Sequence, residues 1–444
     1  MLTLCDFTQA TGLFKNTPGA NMTSQLRSFK TLALLLGAAA LVAACGGGGG
    51  STPVTPVTPA PVSSVSVTGS SRVIANTVYN YTATASNATV SAYTWAWGDG
   101  SANGTGTSVD KVWNKPGNFT ASLSGTLATG VVTGSQSVAV VGKPVAGGTS
   151  HSCALKPDGS VACWGFNSDG QVGDGTATTR LSPVPVTGLT GVVALGLGTN
   201  HTCALKSDGT VACWGNNGFG QLGDGSTIRR ATPAPVPGLL GVVAVSLGGD
   251  HTCALKSDGS VACWGDNGNG QLGDGTTTNQ GSPVVVTGLA GVVALSTGLF
   301  HTCALKSDGS VACWGLNVFG QLGDGTTTNQ LSPAPVPGLA GVVALSLGAY
   351  HVCALKPDGS VACWGSNSRG QLGDGTTTNR LLPVLVPGLA GVVALGLGAN
   401  HTCALKSDGS VACSGYNTVG QLGDNTTVDK LVPTPTFAGA VFWK

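Results

Sequence analysis

The chain has 444 residues and a formal net charge of +1, and only 9% of its residues are charged. This composition excludes the broad basic surface that nucleic-acid-binding proteins use, so no nucleic-acid partner is predicted. The length allows at least two domains, and the 71 glycines recur at fixed turn positions, which is typical of a folded β protein.

The N-terminal region predicts an export signal. Residues 1–21 fit no signal pattern, which favours Met22 as the true start. In residues 22–45 a basic segment, an apolar run and small residues precede Cys45, and this order resembles a bacterial lipoprotein signal. The resemblance implies lipidation of Cys45 and an anchor in the bacterial cell envelope, in the outer membrane and facing the periplasm or the outside. An ordinary signal peptide with an incidental cysteine is the alternative.

A tether follows the expected anchor. The apolar run from Thr31 to Ala44 is too short to cross a bilayer as a helix, so the lipid is the expected contact with the membrane. Residues 46–62 begin with glycines and continue with Thr-Pro repeats, a pattern that favours a flexible and then a stiffer linker.

Residues 63–142 predict a separate β module. Alternating residues in Val78-Tyr-Asn-Tyr-Thr-Ala-Thr-Ala and Ala92-Tyr-Thr-Trp-Ala-Trp are typical of strands, and Lys115-Pro-Gly-Asn is typical of a turn. Together with the segment Trp95-Ala-Trp-Gly-Asp-Gly, this turn resembles the polycystic-kidney-disease-type domain. The resemblance implies an immunoglobulin-like β-sandwich that acts as a spacer or weak adhesive module. Trp95 is expected in its core, and stacking on a sugar is the alternative.

Residues 143–444 contain six copies of a fifty-residue unit. Its best-preserved stretch, His-Thr-Cys-Ala-Leu-Lys-Ser-Asp-Gly-Ser-Val-Ala-Cys-Trp-Gly, starts at His201, His251 and His301. Each unit predicts a first apolar strand, such as the one from Gly341, then a hairpin of two strands and a Pro-interrupted fourth strand. Four short strands that are apolar on both faces are typical of a propeller blade packed between two others.

The repeat points to a family. The pattern Gly-x-x-His-x-x-Ala-Leu-x-x-Asp-Gly-x-Val-x-x-Trp-Gly-x-Asn-x-x-Gly-Gln-Leu-Gly-Asp-Gly resembles the repeat of the regulator of chromosome condensation family. The resemblance implies an all-β chain with a β-propeller, commonly of seven blades, after the N-terminal sandwich. Six hairpins are present, the last unit departs from the pattern at Ser414 and Asn425, and residues 438–444 look like the start of another first strand. We favour six blades that close a ring, with seven as the alternative.

Twelve of the fourteen cysteines fall as one pair per unit, ten residues apart. Each hairpin suits a three-residue turn closed by a glycine. With Lys156 opposite Ser160, Cys153 then faces Cys163 as a close, non-hydrogen-bonded pair. In an exported protein this predicts six disulfides, with twelve buried thiols as the alternative. The predicted pairs are Cys153–Cys163, Cys203–Cys213, Cys253–Cys263, Cys303–Cys313, Cys353–Cys363 and Cys403–Cys413.

The remaining conserved positions of the repeat predict structure and not chemistry. All six histidines occupy one position, where a hydrogen bond to a neighbouring loop is expected, because nothing breaks the symmetry to supply a catalytic partner. The tryptophans of the repeat are expected between blades. The Gly-Asp-Gly of each long loop favours a turn over a calcium site. The sequence therefore predicts no enzyme, no cofactor and no metal site.

The units differ from one another mainly on one predicted face. In an up-and-down blade, the corner before the hairpin and the long loop after it emerge together, and large side chains accumulate there. Binding often uses loops on a rigid scaffold, so these residues are candidates for contact with a protein or glycan partner, with neutral drift as the alternative. The candidates are Phe166, Phe219, Phe300, Phe319, Tyr350 and Tyr416.

Three functions fit these features. The favoured one is a non-enzymatic, lipid-anchored scaffold for binding or adhesion on the cell envelope. The second is guanine-nucleotide exchange, which the family resemblance implies and the export signal opposes. The third is inhibition of a secreted enzyme such as a β-lactamase, for which the long aromatic loops would be suitable.

Overall fold

The computed structural model describes residues 64–74, 78–87, 89–99, 101–113, 117–128, 130–141, 145–156 and 158–436. The predicted signal, the lipidation of Cys45, the tether and the strand-like segment 438–444 lie outside the described residues. The described residues form strands and turns, and none of them belongs to a helix that could cross a membrane.

The N-terminal module is a sandwich of two sheets. Its strands are β1 Ser64–Thr68, β2 Arg72–Ile74, β3 Val78–Ser86, β4 Ala92–Ala96, β5 Gly104–Thr105, β6 Ser108–Val112, β7 Gly117–Leu127 and β8 Gly130–Val141. One sheet has the order β1-β3-β6 and the other β2-β8-β7-β4-β5. Trp95, Trp97 and Trp113 are buried in one cluster with Tyr81. Trp95 donates its indole N–H to the carbonyl of Gly106 at 2.9 Å, so it is a core residue, as predicted.

The repeats form six four-stranded antiparallel sheets, called blades 1 to 6. Blade 1 has β9 Val145–Gly147, β10 His151–Leu155, β11 Val161–Gly165 and β12 Arg180–Pro185; blade 2 has β13 Val192–Leu197, β14 His201–Lys206, β15 Val211–Gly215 and β16 Arg230–Pro235; blade 3 has β17 Val242–Leu247, β18 His251–Lys256, β19 Val261–Gly265 and β20 Gln280–Val285. Blade 4 has β21 Val292–Thr297, β22 His301–Lys306, β23 Val311–Gly315 and β24 Gln330–Pro335; blade 5 has β25 Ala344–Leu347, β26 His351–Leu355, β27 Val361–Gly365 and β28 Arg380–Leu385; blade 6 has β29 Val392–Leu397, β30 His401–Lys406, β31 Val411–Gly415 and β32 Lys430–Pro435. The strands pair in chain order, which confirms the predicted up-and-down blades.

The central hairpin of each blade has the predicted register. In blade 2 the N–H of Lys206 donates to the carbonyl of Thr210 at 2.9 Å, and Gly209 has a φ of 77°, which favours glycine at this turn. This closure places Cys203 opposite Cys213, with Cα atoms 4.1 Å apart and the sulfurs bonded. The same pair is bridged in every blade, so the structure contains the six predicted disulfides.

Neighbouring blades pack through apolar faces. Between blades 4 and 5, a single buried cluster contains Cys303 and Leu305 of one blade and Val352, Ala354 and Trp364 of the next. The tryptophans of blades 2 to 5 are fully buried, which confirms their predicted place between blades. Stability of such an array comes from the contact of each unit with its neighbours.

Each of the two terminal blades has one face that the described residues cover less completely than the corresponding faces of blades 2 to 5. On blade 6, His401, Cys403 and Leu405 are partly exposed, whereas their counterparts in blades 2 to 5 are buried. On blade 1, Ala154 and Trp164 are partly exposed, and again their counterparts in blades 2 to 5 are buried. These two faces do not cover each other, so the described part of the chain lacks the closed six-blade ring that we favoured from the sequence.

Candidate partner-binding face

Two kinds of loop meet on one face of the propeller. Leu316 begins a long loop, and Phe300 lies at the corner before the hairpin. The N–H of Leu316 donates to the carbonyl of Phe300 at 2.9 Å. We call the surface formed by corner residues 149–150, loop residues 166–179 and their equivalents at fifty-residue spacing the variable face. The opposite surface, called the turn face, carries residues 206–210 and their equivalents. There Ser307 N–H donates to a connection between blades, at the carbonyl of Gly291. The predicted division of the loops between two faces is therefore present.

Buried amide side chains hold each long loop in shape. In blade 4 the fully buried Asn317 donates to two loop carbonyls, at 3.2 and 3.0 Å, and to Asp324 at 3.1 Å. Its own oxygen accepts the N–H of Leu322, and the side-chain oxygen of Gln321 accepts the N–H of Phe319. The loop tip that carries Phe319 therefore has a fixed backbone, which lowers the entropy cost of binding there.

The structure brings three of the six predicted contact residues together. Tyr350 lies between the other two, with ring centroids 6.3 Å from Phe300 and 5.4 Å from Phe319. Phe319 is 36% exposed, and Phe300 and Tyr350 are partly exposed. We call these three residues the aromatic cluster. It spans the corners of blades 4 and 5 and offers apolar area with few rotatable bonds.

The other three predicted residues stand apart from the aromatic cluster. Phe166 and Phe219 are each 43% exposed, and among the described residues no ring contact joins them to the cluster. Tyr416 packs under Arg369, whose guanidinium carbon lies 4.9 Å from the ring centroid. Val318 was not predicted, although it is 52% exposed beside the cluster. The sequence did hold a signal for it, because blades 2 and 3 have glycine at this position.

Acidic groups lie on the same face, at blades 1 to 3. Burial raises the pKa of Asp250, and the nearby carboxylates of Asp266 and Asp169 raise it further. The side-chain amide of Gln221 donates to Asp250 at 3.0 Å, which opposes this effect. The variable face thus carries aromatic rings at blades 4 and 5 and carboxylates at blades 1 to 3, and both kinds of group suit basic side chains of a partner.

The histidines link neighbouring blades. Nε2 of His251 lies 3.0 Å from the hydroxyl of Thr302, and that hydroxyl donates to the carbonyl of Gln271. Trp314 donates its indole N–H to the same carbonyl at 2.9 Å. Because the hydroxyl hydrogen is used in that bond, His251 must donate from Nε2. We call this set of four residues the latch. Burial lowers the pKa of His251 to about 3, so the imidazole stays uncharged at neutral pH, and its role is structural, as expected.

One latch lacks its hydroxyl. Blade 5 has Val352 where the other latches have threonine, and Nε2 of His301 consequently has no hydrogen-bond partner among the described residues. The imidazole of His301 is fully buried, so this missing bond is a local cost that the surrounding packing offsets.

The other candidates for chemistry also serve the fold. In blade 5 Asp374 accepts from the hydroxyl of Thr376 at 2.8 Å and pairs with Arg380 at 2.7 Å, which is the turn role expected of the Gly-Asp-Gly segment. No group of three or more metal-ligating side chains occurs in the described ranges. The central opening is lined by glycine, alanine, leucine and threonine residues, such as Gly198 and Leu247, which carry no titratable side chain.

Comparisons with known proteins agree with this architecture. The RCC1-like domain family matches residues 145–441, and the PKD domain family matches residues 58–141. No curated protein matches the chain.

Solved structures show the same propeller. Human WBSCR16 is 26% identical, with a TM-score of 0.60, over 66% of this chain and 80% of its own. Prp20p from Saccharomyces cerevisiae is 25% identical, with a TM-score of 0.59, over 67% of this chain and 77% of its own. Yeast RCC1 (Prp20) bound to Kap60 shares the fold, with 24% identity and a TM-score of 0.60 over 67% of this chain and 75% of its own. With two thirds of its length matched and six blades of the same design, the chain belongs to the RCC1-like domain family, and a PKD domain precedes its propeller.

Proposed function

We propose that this protein is a non-enzymatic scaffold for binding or adhesion, anchored to the bacterial cell envelope by lipid on Cys45, whose variable face holds a protein partner. The aromatic cluster of Phe300, Phe319 and Tyr350 carries the proposal. Aromatic side chains on loops with a fixed backbone are typical anchors of an interface, because they bury large areas at a small cost in conformational entropy. A protein scaffold of this kind is consistent with the propeller fold of the family.

The chemistry of the face favours a protein over a glycan. Asp169, Asp250 and Asp266 add negative charge to blades 1 to 3 of the same face, and this favours a partner with basic and apolar side chains. Two similar propellers support this choice: Prp20p is described with binding properties to Gsp1p and histones, and yeast RCC1 is bound to Kap60.

Photo-crosslinking in cells tests the binding half of the proposal. A benzophenone amino acid in place of Phe319 should link the protein to its partner, because that side chain stands exposed at the tip of a rigid loop. The same amino acid in place of Lys306, on the turn face, should give no such product. Crosslinks from position 306 alone, or from neither position, would exclude the variable face as the contact surface.

The lipid anchor is tested separately. Cells given a labelled fatty acid should incorporate the label into the wild-type protein and not into the Cys45→Ala variant, because the cysteine sulfur is the attachment point. The variant should also leave the membrane fraction. An unlabelled wild-type protein would contradict the anchor while leaving the proposed binding face untouched.

The exchange-factor alternative has less support. It rests on the name of the repeat family, and the six units keep a fifty-residue period without a long insertion that could serve as an additional contact element. Inhibition of a secreted enzyme would use the same variable face. If this alternative is correct, the partner crosslinked at position 319 should be a secreted enzyme.

A further inference from the structure

The side-chain amide of Gln321 lies next to the aromatic cluster with its donor end unpaired. Gln321 is fully buried, and its Oε1 accepts the N–H of Phe319 at 2.9 Å, which fixes the orientation of the amide. Its Nε2 carries two N–H donors and has no hydrogen-bond partner among the described residues. A buried donor without a partner costs free energy, so native structures rarely keep one unless a ligand or water pairs with it.

The equivalent glutamines of other blades show where an acceptor is found. In blade 2 the Nε2 of Gln221 donates to Asn216 at 2.8 Å and to Asp250 at 3.0 Å. In blade 5 Gln371 donates to Ser366, at the position of Asn216, at 3.2 Å. The acceptor therefore belongs to the first residue of the long loop or to the corner of the next blade. The remaining pairs are Gln171 with Asn200 in blade 1 and Gln271 with Asp266 in blade 3.

Blade 4 supplies no acceptor from either position. Its long loop begins with Leu316, which is apolar, and the next corner ends with Tyr350, whose hydroxyl makes no bond to Nε2 of Gln321. Leu316 and Tyr350 are both partly exposed on the variable face. A change of rotamer at either side chain would open the amide to a partner, and such changes are common when interfaces form.

The unpaired donor defines the group that a partner must supply. Nε2 of Gln321 can only donate, so the matching group is an oxygen acceptor. A carboxylate would lose its water of hydration beside a neutral amide, and Asp250 and Asp266 already make the same face negative. A neutral main-chain carbonyl is less costly to bury, and a segment that supplies one can also place an apolar side chain against the rings of Phe319 and Tyr350.

We infer that Gln321 and the aromatic cluster form one recognition site for a free main-chain carbonyl of the protein partner. Nε2 donates to that carbonyl, and the rings contact the apolar side chain next to it. A segment in the middle of a helix has no free carbonyl and would leave the amide unpaired, so the site selects an extended segment or a loop. This inference rests on the proposed function, because it specifies the partner of the same face.

An internal acceptor for Gln321 tests the inference. Leu316→Asn introduces the side chain that accepts from Gln221 in blade 2, whereas Leu316→Ala removes the leucine and adds no acceptor. The asparagine variant should melt about 2 °C or more above the alanine variant, because the buried donor gains a partner. It should also bind the purified partner, identified by crosslinking at position 319, about fivefold more weakly than the alanine variant does.

The outcomes separate this inference from the proposed function. Equal affinities of the two full-length variants, or tighter binding by the asparagine variant, would overturn the role of Gln321 and leave the variable face as the contact surface. The absence of any crosslink from position 319 would overturn both.

A direct measurement does not depend on the bond that Leu316→Asn is designed to form. In full-length protein with nitrogen-15 in its glutamine side chains, binding of the same partner should move the Nε2 proton signals of Gln321 downfield, as a new hydrogen bond does. The signals of Gln371 are the control and should stay in place, because that amide already donates to Ser366. Loss of a signal in Gln321→Glu assigns it. Unchanged Gln321 signals in the complex would mean that the partner does not pair with this amide.

Discussion

Replacing Phe300, Phe319 and Tyr350 together with Ser is expected to abolish capture of the partner while the melting curve stays nearly unchanged. The three rings contact one another on the variable face and are only partly buried, so their loss removes the apolar anchor of the interface and little of the core. The measurement is binding of the partner identified by crosslinking to immobilised wild-type and variant protein, together with thermal unfolding. Loss of anchors of this kind costs on the order of 2 kcal/mol or more for each residue, which is at least a thirtyfold change in affinity.

A matched triple change on the turn face is the control. Replacing Lys206, Lys256 and Lys306 with Ser alters three partly exposed side chains and leaves every residue of the variable face in place. This variant should capture the partner as the wild type does. If the lysine variant loses capture of the partner and the aromatic variant keeps it, the partner binds the turn face and not the variable face. If the aromatic variant unfolds, the three rings belong to the core.

Reduction of the six disulfides is expected to lower the melting temperature by about 10 °C or more. Each bridge closes a short hairpin loop, and in the chain-entropy model a loop of this size stabilises the folded state by about 2–3 kcal/mol, although such contributions are not fully additive. Non-reducing mass spectrometry of the propeller should show a mass lower by twelve hydrogens than that of the reduced chain, as six bridges require.

The disulfides differ in burial according to the position of their blade in the propeller, so their rates of reduction can be compared within one protein. The Cys303–Cys313 bridge is fully buried between blades, whereas Cys403 of blade 6 is partly exposed. Mild reduction followed by alkylation should therefore label Cys403 and Cys413 before Cys303 and Cys313. Twelve alkylatable thiols in protein isolated without reductant from the cells that produce it would contradict the disulfides.

The sequence predicts those features that local chemistry determines. The register of each hairpin follows from the turn between Lys206 and Thr210, and the opposition of Cys203 and Cys213 follows from that register. Strand order follows from the succession of four strands within one fifty-residue unit. These features depend on residues of one repeat, so they can be predicted from a single unit.

Contacts between units could not be predicted in the same way. The hydroxyl that pairs with His251 belongs to Thr302, in the next blade, and both residues are present in nearly every repeat, so neither stands out in the sequence. Phe300, Phe319 and Tyr350 contact one another and Phe166 does not contact them. This grouping also depends on which loops of adjacent blades lie close together. The sequence shows valine at position 352 where most repeats have threonine. Its consequence, the loss of a hydrogen bond to His301, could be recognised only from the contacts of the latch.

Because of the latch, nearly the same contacts connect each pair of neighbouring blades. Blades 2, 3 and 4 each present a histidine and a glutamine carbonyl on one side and a threonine and a tryptophan on the other, so a copy of one of these units carries both halves of the contacts it needs. The gene can therefore gain or lose whole units by recombination between nearly identical repeats without a new interface having to evolve. Side chains on the variable face lie outside the joint, so each unit can diverge there after it has been copied. Blade number and binding specificity are thus free to evolve separately.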